Sequence, residues 1–250
     1  MNVTATETPC KSGENKIFGV LYLPNEHKGR LPVVILCHGY NSSYSHVLDI
    51  AQSLADNGFA AYCFDFCGGS TISKSGGSST DMSIETEISD LMNVIAMLSE
   101  CGFADKEKIY LYGESQGGFV SALTAARMTD KIAGMALLYP AFCIPDNWIA
   151  EDPEKMTEPV EFMGMKLSRT FREGLPEYDV FEAVSRFKNP VLLLHGDSDK
   201  LVDISYSEKL CSAFENCRLD VYENEGHGFS PKARKRMCVT TVEFLSKLAF

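Results

Sequence analysis

An α/β fold, one mainly parallel sheet with helices on both faces, is what this 250-residue sequence predicts. Three observations predict it. Apolar runs of strand length alternate with helical patterns through most of the chain. The composition is 45% hydrophobic over a length usual for one α/β domain, enough for a large core. A strand-like run at 109–112 also passes through a glycine-flanked turn straight into a helical run at 119–126.

Strands are expected at 17–23, 32–37, 59–65, 108–113, 133–139, 190–195 and 218–222, where the apolar runs lie. Helices are expected at 45–56, 83–100, 116–128, 204–214 and 231–248. Strands separated by helices must be joined by crossovers, which makes the sheet mainly parallel and covers both its faces. Catalytic groups then gather at the carboxyl ends of the strands. The Ser/Gly-rich stretch 73–81 is expected to be a mobile loop and not a domain linker.

Residues 141–189 break the alternation. They mix Pro145, Pro153, Pro159 and Pro176 with Phe142, Ile144, Trp148, Phe162, Met163, Met165 and Phe171, directly after a core strand. A connection this long is usually functional. The expectation is one domain over 1–250, with 141–189 as a lid or cap insertion within it. Trp148 is a candidate wall of an acyl pocket, and Asp146 a candidate acceptor for a substrate hydroxyl.

The turn itself reads Gly113-Glu114-Ser115-Gln116-Gly117. A serine at the apex of so sharp a turn takes strained backbone angles, and the strand and helix approach closely enough to require glycine two residues either side. The next backbone N–H, that of Gln116, lies at a helix N-terminus, where developing negative charge is favoured. A serine hydroxyl is a poor nucleophile at neutral pH, so Ser115 needs a histidine base and a carboxylate to orient it.

Five histidines are available. His27 lies in a charged, solvated turn and His46 in an early helical pattern, and neither is placed for catalysis. His38 and His195 each end an apolar strand and precede a glycine, which marks them as scaffold residues. His227 stands between Gly226 and Gly228 on a short loop before the last helix, from which it can swing onto a serine. For the carboxylate, the stretch His195-Gly196-Asp197-Ser198-Asp199 offers two candidates. Asp197 follows the glycine at once and shapes the turn through its own backbone. Asp199 is the better placed to project toward His227. Asp203 reads as the N-cap of the helix that follows.

With these residues in order, the chain resembles an α/β-hydrolase over nearly its whole length. The order Ser115, Asp199, His227 matches that family's, as does the His38-Gly39 pair after the first long core strand. The resemblance implies that the loop after that strand supplies a second oxyanion donor, the backbone N–H of Tyr40, beside that of Gln116. The stretch around Asp65 resembles the family's Asp-x-x-Gly loop, and Asp65 itself reads as structural. Within the superfamily the chain is similar to the small bacterial cinnamoyl, or feruloyl, esterases. That narrower likeness rests on the two-strand start at 17–24, the insertion after Leu137-Leu138-Tyr139-Pro140 and the phrase Leu175-Pro176-Glu177-Tyr178-Asp179.

Charge and cysteine content narrow the setting. A net charge of −11 argues against nucleic-acid or anionic-membrane partners, which require basic surfaces. No apolar run approaches the ~20 residues of a membrane span, and the first residues resemble no signal peptide. Nine cysteines without a C-x-x-C pair point to reduced thiols, with Cys37, Cys63 and Cys143 as small core residues, and to a cytoplasmic setting. No metal or organic cofactor is implied. A homodimer is compatible with this reading and not required by it.

The expected reaction is hydrolysis of a small-molecule ester through an acyl-enzyme on Ser115, with hydroxycinnamoyl esters the narrower expectation. A peptidase or acylaminoacyl hydrolase, a thioesterase or an acyltransferase of the same fold would share every one of these residues. A non-enzymatic binding protein of the same fold would typically lack one of them.

Overall fold

The computed structural model describes residues 2–149 and 158–250. Its elements in chain order are β1 (Val3–Glu7), β2 (Cys10–Ser12), β3 (Asn15–Ile17), β4 (Gly19–Pro24), β5 (Leu31–Cys37), α1 (Leu48–Asp56), β6 (Ala60–Phe64), α2 (Ile84–Ser99), β7 (Ala104–Glu114), α3 (Gln116–Arg127), β8 (Gly134–Leu138), α4 (Ile144–Ile149), β9 (Val160–Phe162), β10 (Met165–Leu167), α5 (Arg169–Glu173), α6 (Val180–Val184), β11 (Val191–Gly196), α7 (Ile204–Ala213), β12 (Cys217–Tyr222) and α8 (Pro231–Ala249).

One eight-stranded sheet runs in the order β1-β4-β6-β5-β7-β8-β11-β12. From β6 to β12 every pairing is parallel, and β1 and β4 add an antiparallel edge. All seven residues of β5 are buried, as are all five of β6 and of β8, because helices cover both faces. Two apolar clusters result. One joins the sheet to α2, α3 and the long connection after β8, and the other joins it to α1 and α8. Pro32 sits inside β5, where the pairing with β7 slips between Leu31 and Val33, so the missing N–H falls at an irregularity of the ladder.

Every predicted strand and helix is present, with differences at the ends. The run 17–23 is broken at Phe18 into β3 and β4. The helix expected from 45 opens as a 3-10 turn at Tyr44–Val47. Strand β1 went unpredicted because Val-Thr-Ala-Thr-Glu is a polar edge strand whose last four residues are exposed, which leaves no apolar alternation to read.

The stretch 73–81 is tied down, contrary to the expectation of a mobile loop. The Lys74 N–H donates to Asp65 Oδ2 at 2.7 Å, the Ser75 hydroxyl donates to the Asp65 carbonyl, the Gly68 N–H donates to the Gly76 carbonyl and the Gly76 N–H to the Lys16 carbonyl. Its Ser/Gly composition supplies hydroxyl and backbone partners for these anchors. Asp65 itself is fully buried and accepts from the Tyr44 N–H at 2.6 Å, a structural role. The nine cysteines are all free thiols, with Cys37, Cys63 and Cys143 buried.

Helix α8 is locked to the sheet by a buried ion network. Arg234 reaches Glu114 Oε1 at 2.7 Å and Asp49 Oδ2 at 2.8 Å, and Glu114 also accepts from the Tyr112 hydroxyl at 2.7 Å. Glu114 is 1% exposed, so losing its partner strands a charge in the interior. Arg234→Met is therefore expected to destabilise the fold by about 3–5 kcal/mol. Denaturant melts would read this as a lowered midpoint, and adding Glu114→Gln should recover part of the loss.

Candidate active site

Ser115 occupies the turn between β7 and α3 with φ +53° and ψ −119°, a strained conformation for a residue bearing a side chain. Neighbouring backbone over-determines it. The Ser115 N–H donates to the Leu138 carbonyl at 2.9 Å, and the Ser115 carbonyl accepts from Gly118, Phe119 and Ala141. A Cβ at Gly117 would overlap the carbonyls of His38 and Cys37 at the end of β5, and one at Gly113 would overlap the Gly117 carbonyl. The two glycines are thus required by close approach of backbone to backbone, as their spacing predicts.

The structure brings Ser115, His227 and Asp199 together. His227 Nε2 accepts from the Ser115 hydroxyl at 3.0 Å, and its Nδ1–H donates to Asp199 Oδ2 at 2.8 Å. The other Asp199 oxygen, Oδ1, accepts from the N–H groups of Leu201 and Val202 at 2.9 and 3.0 Å. Burial alone would raise the Asp199 carboxyl, but hydrogen bonds from His195, His227 and the Val202 N–H hold it well below the usual carboxylate range. Asp197 stays out of this set. It accepts from the Asn224 N–H at 2.7 Å and so braces the loop that carries His227. Asp203 caps α7 by accepting from the Ser205 N–H.

A second ring of residues holds this set in place, and the sequence hid it. His195, fully buried, donates from Nε2 to the Val202 carbonyl at 2.9 Å, with Asp199 Oδ2 3.3 Å away, while its Nδ1 accepts from the Ser207 hydroxyl at 2.7 Å. Strand-end position identified it as scaffold, but only the fold puts it against Asp199. Tyr139, at φ +37°, lays its ring 4.2 Å from the His227 ring and directs its hydroxyl toward Glu114 at 3.4 Å. Glu114 carried one legible signal, a carboxylate two residues after the apolar run 109–112 of β7. His46, read from the sequence as not placed for catalysis, has a half-exposed side chain. It lines the cavity beside Ser115, with Nε2 3.4 Å from Glu114, because the 3-10 turn that precedes α1 turns it toward the strand ends.

Above Ser115 lies a cavity of about 370 Å³, within the range of small-molecule sites. Tyr40 and Gln116, the sequence-predicted oxyanion residues, line it next to the serine. Ile144, Trp148, Phe162, Met163 and Phe171, all from the connection after β8, supply its apolar wall. Trp148 is 6% exposed and packs edge-on to Phe162 at 5.3 Å and against Phe171 at 5.0 Å. The hairpin β9–β10 is fastened over the site by the Tyr40 hydroxyl, which donates to the Phe162 carbonyl at 2.9 Å, and by the Asn41 amide, which donates to the Met163 carbonyl at 3.1 Å. Asp146 does not join the wall. One residue's step along α4 puts Asn147 on the cavity side, while the Asp146 carboxylate turns outward and accepts from the Tyr206 hydroxyl at 2.7 Å. Among the described residues no group of side chains is arranged to hold a metal ion, and no helix is long and apolar enough to cross a membrane.

Comparison with known proteins agrees with this geometry. Est1E from Butyrivibrio proteoclasticus, in a structure with ferulic acid bound, superposes with a TM-score of 0.88 at 24% identity over 96% of this chain and 98% of its own. The α/β hydrolase GrgF from Penicillium sp. sh18 superposes with a TM-score of 0.76 at 17% identity over 100% of this chain and 99% of its own. Monoacylglycerol lipase ABHD6 of Homo sapiens is 21% identical over 88% of this chain and 77% of its own length. Residues 45–249 match the model of the prolyl oligopeptidase family, a span that contains the nucleophile turn, Asp199 and His227. On that match the chain belongs to the prolyl oligopeptidase family, and it shares the α/β-hydrolase fold with these enzymes.

Proposed function

We propose that the chain is a serine carboxylesterase acting through an acyl-enzyme on Ser115, and that its acyl pocket takes hydroxycinnamoyl or similar small aromatic acids. The observation that carries this reading is the hydrogen-bonded line Ser115, His227, Asp199 opening into an apolar, aromatic-walled cavity. The structural likeness to Est1E with ferulic acid bound supports the narrower part. The name of the lipase relative supports a second acyl class, that of monoacylglycerols.

In the proposed reaction the Ser115 hydroxyl attacks the ester carbonyl as His227 Nε2 takes its proton. Asp199, held ionised by its bonds, stabilises the imidazolium and keeps the proton of the neutral ring on Nδ1. The N–H groups of Tyr40 and Gln116 receive the negative charge that develops on the carbonyl oxygen. His227 then gives its proton to the departing alcohol, and water repeats the sequence on the acyl-enzyme. The insertion 141–189, of which 150–157 lie outside the described residues, acts as the lid, and Trp148 with Phe162 and Phe171 forms the face on which an aromatic acyl group stacks.

Ser115→Ala and His227→Ala should each abolish turnover while leaving the melting temperature near that of the parent, and the double variant should lose little more, since members of such a set act as a unit. Additive losses in kcat would rule the assignment out. Asp199→Asn should lower kcat by about 10³–10⁴ by holding the wrong histidine tautomer. Asp197→Asn should cost far less, because it braces a loop only. Trp148→Ala should reduce kcat/KM for feruloyl esters by roughly 1–3 kcal/mol of transition-state binding and leave acetyl esters little changed. Equal losses on both would make Trp148 general packing, and long-chain monoacylglycerols preferred over feruloyl esters would assign the pocket to the second class.

A further inference from the structure

Glu87 is a buried carboxyl that the proposed reaction does not use. It lies in the first turn of α2 and is 1% exposed, and it accepts a hydrogen bond from the Gln116 side-chain amide at 2.8 Å. Gln116 is the residue whose backbone N–H follows the nucleophile, and its own side chain is 2% exposed. The groups that face Glu87 are the Gln116 amide from α3, the Cys37 thiol and the Tyr40 ring from the end of β5 and the loop after it, and Asp90 one turn along α2. The 66–69 turn closes the remaining side, where a Cβ on Gly69 would stand 3.2 Å from Glu87 Oε1. Among the described residues no basic side chain lies within ion-pair distance of it. The Gln116 side chain is therefore bound to a carboxyl that has no counter-charge within ion-pair distance among the described residues, and Tyr40 lies within the electrostatic reach of the same carboxyl.

We propose that Glu87 is a positioning residue for the oxyanion hole: its buried carboxyl holds the Gln116 side chain, and a negative charge on it opposes the charge that the site must stabilise. This inference rests on the esterase reading above. Burial pushes the carboxyl up to about 8, the Gln116 bond opposes that shift in part, and Asp90 adds to it. Below that pH the group is a neutral acid. Above it, a negative charge sits one hydrogen bond from the Gln116 side chain, beside the residue whose N–H must stabilise a second negative charge on the substrate, and like charges in a dry interior repel strongly. The sign is fixed by this geometry, since proton loss can only oppose formation of the oxyanion.

The test is the pH profile of kcat and kcat/KM for 4-nitrophenyl acetate, read for the wild type, Glu87→Gln and Glu87→Ala. Infrared difference spectra of the same proteins follow the carboxyl proton directly. The wild type should fall roughly tenfold per pH unit above an inflection near pH 8, as one proton leaves. Glu87→Gln, each rate taken relative to its own plateau, should lack that fall. Glu87→Ala, which leaves the buried Gln116 amide unpartnered, should lower kcat with KM nearly unchanged, and glutamine at the same position should restore it. An alkaline limb that persists in Glu87→Gln overturns the inference, as does a wild-type carboxyl band already absent at neutral pH, or a Glu87→Ala variant that loses melting temperature but no kcat. A wild type inert toward every ester would overturn the esterase reading as well, whereas an active wild type with any of those results overturns this inference alone.

Discussion

Everything at the strand ends hangs on one close approach, that of the α3 N-terminus to the end of β5. Gly117 lies against the carbonyls of Cys37 and His38 with no room for a Cβ, and Gly113 lies against Gly117 in the same way. This contact lets the chain reverse from β7 into α3 within a single residue, so Ser115 takes its left-handed angles and its hydroxyl stands clear of the sheet. It also places Gln116 at a helix start beside the loop that carries Tyr40. Relax the contact and the nucleophile, the helix N-terminus and the second loop would separate together.

The polar residues around that turn obey a common logic. Each buried charge or imidazole next to the site is met by a partner from a different element. Asp199 is met by His195 and by backbone N–H groups, Glu114 by Arg234 and Tyr112, and the Asp65 carboxylate by the Tyr44 and Lys74 N–H groups. Such satisfaction keeps side chains fixed where a hydrogen-bond error of an ångström would matter. Glu87 follows the same logic, met by the Gln116 amide from α3, and like Asp65 it has no cation within ion-pair distance among the described residues.

The β9–β10 hairpin of the connection after β8 is tied to the body by hydrogen bonds as well as by its share of the core. Carbonyls of Phe162, Met163 and Lys166 accept from Tyr40, Asn41 and Ser79, and the Ser168 hydroxyl donates to the Thr80 carbonyl. The Ser/Gly-rich stretch 73–81, itself pinned to Asp65 and Lys16, therefore serves as part of the seat of the hairpin. Aromatic side chains are left free to face the cavity, where Trp148, Phe162 and Phe171 pack on one another.

The sequence by itself determined the α/β alternation, the nucleophile turn and the order of Ser115, Asp199 and His227. These depend on local matters: apolar period, glycine at positions of close approach, and carboxylate or histidine in the turn after a strand. It also separated Asp199 from Asp197, although the structure engages Asp197 with the Asn224 N–H of the His227 loop instead of with the backbone of its own turn. Tertiary structure alone decided the rest. β1 is polar and becomes a strand only by pairing with β4. His46 reads as a surface helix residue and reaches the cavity only because α1 begins with a tighter turn. Asp146 is a candidate acceptor on sequence alone until the rotation of α4 aims its carboxylate outward to Tyr206. The pairings of Glu114 with Arg234, and of Glu87 with Gln116, join residues 120 and 29 positions apart, a separation over which no local pattern carries information. Local chemistry is written along the chain, while contacts between distant residues exist only once the sheet has set which strand ends stand side by side.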